Sequence, residues 1–219
     1  MLLDEFVDTI RAQEFIVATL IAEPDLEHQL QAERRKLGLD AHDEVWEGVY
    51  FMPPIANNEH QSVQARFVAI LTAVVVWPGL GDVQGGANIS DRNDWKSNFR
   101  VPDVLVFLNG TKAQNRGTHW FGGPDFAIEI LSPGDKARDK LPFYASVGVR
   151  ELLLVDRDPW RVELYRLIDG QLIEVGRSEL GQQDALESQI VPLSFCIVPG
   201  AERPMIQVKL ISGAQAWLI

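Results

Sequence analysis

Val101-Pro102-Asp103-Val104-Leu105-Val106-Phe107 and Asp125-Phe126-Ala127-Ile128-Glu129-Ile130-Leu131-Ser132-Pro133 decide the reading of this chain. Each is an apolar, β-branched run, with Asp103 set into the first and Glu129 into the second. Strands of that composition belong in a sheet interior. An unpaired carboxylate does not, because stripping water from a charge is costly. Two such carboxylates on neighbouring strands are better explained as ligands of a divalent cation. The pair points to metal-dependent hydrolysis.

The flanking sequence alternates between helical and strand periods. Leu3, Phe6, Val7, Ile10, Val17, Leu20 and Ile21 recur at helical spacing as far as Pro24. Leu26, Leu30 and Leu37 mark a second helix that stops at Gly38. Arg34-Arg35-Lys36 stands at its end, where cations complement the helix dipole. Residues 45–52 predict a strand turning at Gly48, and Asn57 or Asn58 caps a helix through Val63, Phe67, Ile70, Leu71 and Val74. A strand is expected across 82–89 and a polar loop across 91–100. After Ser132-Pro133-Gly134 a helix runs to about Gly148, with Pro142 in its first turn. Residues 151–156 read as a buried strand. Residues 161–167 and 171–175 form a hairpin that turns at Asp169-Gly170, and the tail from Val191 reads as short strand and loop. The order helix, strand, strand, strand, helix, strand makes the fold α/β: a mixed sheet flanked by helices, with edge hairpins. Residues 1–38 are expected to form a helical appendage and residues 39–219 the main domain.

Composition narrows the classes. The chain has 219 residues, 46% of them hydrophobic, enough for one large domain with an appendage. Cys196 is the only cysteine, which excludes an intrachain disulfide and multi-cysteine zinc sites. No apolar run approaches the ~18 residues of a membrane span. The acidic N-terminus lacks a basic leader, so a cytoplasmic location without a membrane partner is expected. The net charge of −11 is unusual for a nucleic-acid enzyme, whose footprint is ordinarily basic. Between residues 91 and 150, however, Lys and Arg outnumber Asp and Glu.

Pro102-Asp103 followed by Glu129-Ile130-Leu131-Ser132-Pro133, in this element order, resembles the PD-(D/E)xK nuclease superfamily. More closely the chain resembles the Uma-two family of restriction endonucleases. Glu44-Val45-Trp46-Glu47-Gly48 is similar to that family's opening strand, and Glu59-His60-Gln61 to its helix-opening His-Gln. Lys140-Leu141-Pro142-Phe143-Tyr144, Gly148-Val149-Arg150-Glu151-Leu152 and Val155-Asp156 are similar to its Lys-x-x-x-Tyr, Gly-Val-x-Glu and Val-Asp elements. The strand ending Tyr165-Arg166-Leu167 also fits.

The resemblance implies a restriction-endonuclease-like αβββαβ core and a metal-dependent endonuclease acting on DNA as a homodimer. It implies that Asp103 and Glu129 hold Mg²⁺ or Mn²⁺ together with the carbonyl of Ile130. The superfamily's lysine stands two residues after the glutamate, where this chain has Leu131. The resemblance moves the amine to Lys140, with Lys136 as local competitor. Lys140 would orient the attacking water and stabilise the pentavalent transition state. Asp103, Glu129 and Lys140 are thus the expected catalytic set. Glu44 is an accessory candidate as an outer ligand, and His60 as a residue that contacts substrate or tunes the site. Ser132 either caps the following helix or touches phosphate, the cap being favoured. Tyr144 is expected to pack over the lysine stem, and His119 and Trp120 to reach substrate or pack their loop. Two other readings stand beside the nuclease. One is a non-catalytic module that binds nucleic acid or protein, suggested by the charge and the displaced lysine. The other is a metal-dependent phosphohydrolase of small substrates, which suits an acidic surface.

Overall fold

The computed structural model describes residues 24–53, 56–132, 136–182, 184–213 and 215–219, so the helix expected over residues 3–21 lies outside them. The chain opens with helix α1 (Pro24–Leu37), strands β1 (Glu44–Trp46) and β2 (Val49–Phe51), and helix α2 (Asn58–Leu71). A π turn, Thr72–Val76, continues α2 and leads to β3 (Gly81–Gly85). Short strands β4 (Ile89–Ser90) and β5 (Phe99–Arg100) precede β6 (Val104–Leu108). Strands β7 (Gln114–Asn115) and β8 (Trp120–Phe121) precede β9 (Phe126–Ile130). A 3-10 turn, Ala137–Lys140, runs directly into helix α3 (Leu141–Ser146). Then come β10 (Glu151–Arg157), β11 (Trp160–Ile168) and β12 (Gln171–Glu179). The tail holds β13 (Leu186–Glu187), β14 (Leu193–Val198), β15 (Met205–Leu210) and β16 (Ala216–Leu218).

The central sheet has the order β12-β11-β10-β9-β6-β3. Its neighbours are antiparallel except β9 and β10, which run parallel with Phe126 level with Glu151 and Ile130 level with Val155. A parallel pair needs a crossover, and the turn ending at Lys140 together with α3 supplies it. The elements α2, β3, β6, β9, α3 and β10 realise the expected αβββαβ order. Two hairpin turns also form as read. Glu47 and Gly48 have φ of 49° and 86°, and Asp169 and Gly170 have φ of 49° and 79°. Positive φ at both central residues is the geometry that two-residue hairpins favour.

Strict alternation loads both faces of the central sheet. Val104, Val106, Phe126, Ile128, Leu153 and Val155 pack on one face against Phe67, Ile70 and Leu71 of α2. Leu105, Phe107, Ala127, Leu131, Leu152 and Leu154 pack on the other, beneath Phe143 and Tyr144 of α3. Each such aliphatic or aromatic side chain, fully buried, contributes about 1.5–3 kcal/mol.

The tail is more regular than its sequence suggested. Strands β13, β14, β15 and β16 form an antiparallel sheet of their own. Phe195, Ile197, Ile206 and Val208 join the same core as α2. Pro199, Gly200 and Pro204 lie between β14 and β15. They punctuate the pattern because they form the connection, and that obscured the strands on either side. A third sheet, β2-β1-β5-β4-β8-β7, is built from strands of two or three residues and extends from the edge where β6 begins.

Candidate active site

Alternation along β9 decides where Glu129 points. Phe126, Ile128 and Ile130 belong to the α2 side, so Glu129 faces α3 with Ala127 and Leu131. Asp103 sits at the mouth of β6, where the β6–β9 ladder ends with Val104 opposite Ile128. Two residues further along β9, the Ile130 N–H donates to Asp103 Oδ2 at 2.7 Å. The carboxylate thus takes over where the strand pairing stops. Its other oxygen lies 2.9 Å from His60 Nε2. Gln64, one turn after His60 on α2, donates to the Asp103 carbonyl at 2.7 Å. The start of α2 is itself held by Asn57, whose Oδ1 accepts the His60 N–H at 2.9 Å.

Glu129 is gripped from the 3-10 turn and α3. Its Oε1 accepts from Lys140 Nζ at 3.1 Å and from the Tyr144 hydroxyl. Lys140 also donates to Glu44 Oε1, at 2.9 Å. That oxygen accepts the Val101 N–H at 2.8 Å, while Glu44 Oε2 accepts Trp46 Nε1 at 2.7 Å. One ammonium therefore bridges a carboxylate on β1 and another on β9. Arg100 lies 4.7 Å from the Trp46 ring and 4.3 Å from the Phe143 ring, locking β1 against α3.

Glu44, His60, Asp103 and Glu129 are only 4–9% exposed, and all four line a cavity of about 660 Å³ with Ile130, Ser132, Lys136 and Lys140. Burial pushes the Glu129 carboxyl up, Lys140 draws it down, and Asp103 and Glu44 push it up again, to about 8. Burial, followed by the Glu129 charge, holds the Tyr144 phenol well above its ordinary value. Among the described residues His60 Nδ1 is buried without a hydrogen-bond partner. Also among them, no three His, Cys, Asp or Glu side chains form a metal-holding cluster. The candidate ligands of the sequence reading, the Asp103 and Glu129 carboxylates and the Ile130 carbonyl, belong to residues that line the cavity. Oxygen-only donors, with room for water, fit a hard cation such as Mg²⁺ or Mn²⁺ and not zinc. A bound cation would relieve the repulsion that Asp103 and Glu44 exert on Glu129.

The structure brings Asp103, Glu129, Lys140, Glu44 and His60 together. Lys140 ends a 3-10 turn instead of lying within a helix, and Lys136 lines the cavity without displacing it from the carboxylates. Ser132 lines the cavity, and the 3-10 turn and the helix start from Lys136 and Lys140 without a side-chain cap. Tyr144 does more than pack, since its hydroxyl holds Glu129. His119 stacks on Trp95 at 5.2 Å, and Trp120 stacks on Phe107 at 3.7 Å while donating to Gln84, so loop packing accounts for both. Arg34 is not simply solvated at a helix end. It donates to Asp43 at 2.8 and 2.5 Å and to the Leu39 carbonyl at 2.7 Å, and Tyr50 bonds the same carboxylate. This clamp fixes the end of α1 and the following loop beside the cavity, which Arg34, Leu39 and His42 help to line. The supporting roles of Tyr144, Gln64 and Trp46 went unread. Spacing carried the one available signal, as each lies two or four residues from Glu44, His60 or Lys140.

The family described as "Putative restriction endonuclease", Uma2, matches residues 27–197. The chain belongs to the Uma2 family. The Uma2 match encloses every residue of the constellation above. A crystal structure described as a "putative nuclease belonging to DUF820" from Anabaena variabilis ATCC 29413 is 19% identical, with a TM-score of 0.51. The similarity covers 73% of this chain and 82% of that one, and it supports a shared fold. No curated protein matches the chain. Among the described residues no helix is long and apolar enough to cross a membrane.

Proposed function

We propose that this Uma2 protein is a metal-dependent nuclease that hydrolyses phosphodiester bonds, those of DNA first. One observation carries the reading: acids distant in sequence, Glu44, Asp103 and Glu129, converge with the Lys140 ammonium on one cavity. Asp103, Glu129 and the Ile130 carbonyl would hold the Mg²⁺ or Mn²⁺. When bound, such an ion lowers the pKa of a water and offsets charge on the phosphate.

The chain's own residues supply the rest. Lys140 places a positive charge where a phosphoryl oxygen gains negative charge, and the enclosed site strengthens that attraction. Glu44 and Glu129 hold the lysine in place, and Tyr144 fixes the Glu129 rotamer. His60 and the Ile130 N–H orient Asp103 between them. Ser132, which lines the cavity, would meet a phosphate oxygen.

The decisive assay is cleavage of labelled DNA with Mn²⁺ or Mg²⁺, comparing wild type with Asp103→Ala and Glu129→Ala. We expect each substitution to reduce cleavage at least a hundredfold, and equal activity in all three proteins rejects the reading. A second reading, hydrolysis of small phosphate esters, is favoured by the size of the cavity, about 660 Å³, which is that of a small-molecule site. A screen of nucleotides and phosphodiesters with the same variants separates the two.

A further inference from the structure

We infer that the space beyond the carboxylates receives the base of one unpaired nucleotide, so that the site acts on unpaired nucleotides and not on stacked duplex. This rests on the nuclease reading and specifies its substrate. Three observations support it.

The first is the shape and composition of the cavity. At about 660 Å³ it has the size of a small-molecule site, ~300–1,000 Å³, and exceeds what a phosphate group alone needs. Asp103, Glu129 and Lys140 make one part of its wall polar, while Leu39, Phe51 and Val68 make another part apolar. A nucleotide is divided in the same way, with a charged phosphate joined to a flat, largely apolar base.

The second is an ordered aromatic pair. Trp46 and Phe51 both line the cavity and are stacked, with centroids 4.1 Å apart and planes 24° apart. Trp46 is fixed by its N–H bond to Glu44 and by the Arg100 guanidinium near its ring. A pre-positioned aromatic surface is what an unstacked base binds, and it accepts any base because every base has a π-face. Bases inside a duplex are already stacked on each other and must be extruded to reach such a pocket.

The third is charge. A duplex is gripped by cations that neutralise successive phosphates. The chain carries −11 overall, and Arg34 and Lys140 of the cavity wall are already paired, with Asp43 and with Glu44 and Glu129. Among the described residues Lys136 is the remaining Lys or Arg of the cavity wall, enough for one phosphate and too few for the successive phosphates of a duplex.

The test uses the full chain. Fluorescence anisotropy in EDTA compares a labelled 12-nucleotide single strand with the same sequence as duplex, and a deoxynucleoside monophosphate serves as competitor. We expect the single strand to bind at least tenfold more tightly. Phe51→Ala should lose about tenfold of that affinity, and Phe51→Tyr should retain it. Competition by the monophosphate at strand-like concentrations supports the pocket and names free nucleotides as its source. Competition by strands alone supports it with strands as the source. Equal affinity for single strand and duplex, binding of neither, or an unchanged affinity in folded Phe51→Ala overturns the inference. If Phe51→Ala fails to fold, the wild-type comparison still decides. Cleavage in Mn²⁺ separates this inference from its premise. Duplex cut as fast as single strand rejects the pocket and leaves the nuclease. Tight single-strand binding without cleavage rejects the nuclease and leaves the pocket.

Discussion

Glu129 concentrates the tension between stability and chemistry. Its carboxyl is raised from an ordinary 4.5 to about 8, chiefly by burial, with Lys140 drawing it down and Asp103 and Glu44 pushing it up. A carboxyl raised in the folded state holds its proton more tightly there than in the unfolded chain. Stability of the metal-free protein therefore falls as pH rises between about 4.5 and 8, and above 8 the full penalty is present. Glu129→Gln is neutral at every pH and escapes it. The metal-free variant should melt above wild type by a margin that is small near pH 5 and several degrees near pH 8.5, at about 2–4 °C per kcal/mol for a chain of this size. Thermal melts in EDTA across that range check this, and a margin that does not change with pH contradicts it. Manganese should raise the melting temperature of wild type and leave the variant unchanged.

At the scale of elements, α2 connects a helix cap to the site. Asn57 Oδ1 accepts from the His60 N–H and from Arg157 Nη1, and His60 in turn holds Asp103. Asn57→Ala should cost about 1 kcal/mol, read as a lower urea midpoint at unchanged slope. Asn57→Ser, which also caps, should recover most of it. The same elements show what a sequence discloses. Strands β6, β9 and β10 were legible because both faces are buried and the apolar run is unbroken. Asp103 and Glu129 were legible because each contradicts its surroundings. Strands β4, β5, β7 and β8 are two residues long, too short for any period to register. The hydroxyl of Tyr144, the amide of Gln64 and the indole of Trp46 were silent for another reason. A side chain that donates to a buried acid has the same letter as one that donates to water, and its partner lies in a distant part of the chain.

For the molecule as a whole, two sheets and a helix meet at the cavity. The central sheet and its approach supply Asp103 and Glu129, the small-stranded sheet supplies Glu44, and α1 and the loop after it close in through Arg34 and Asp43. Asp43 is 3% exposed and accepts from both Arg34 and Tyr50. Asp43→Asn leaves Arg34 without its counter-charge and should cost roughly 1.5–3 kcal/mol. Limited proteolysis should then cut between residues 37 and 43 faster than in wild type, and an unchanged cutting rate would show that the clamp does not hold that segment.

The placement of Lys140 on the crossover, and not within a strand, has an evolutionary consequence. No ladder bond depends on its side chain, so the amine can be exchanged while the sheet survives. On the function proposed above, a descendant without it would keep the sheet and lose the ammonium that joins Glu44 to Glu129, and with it the cutting but not the fold.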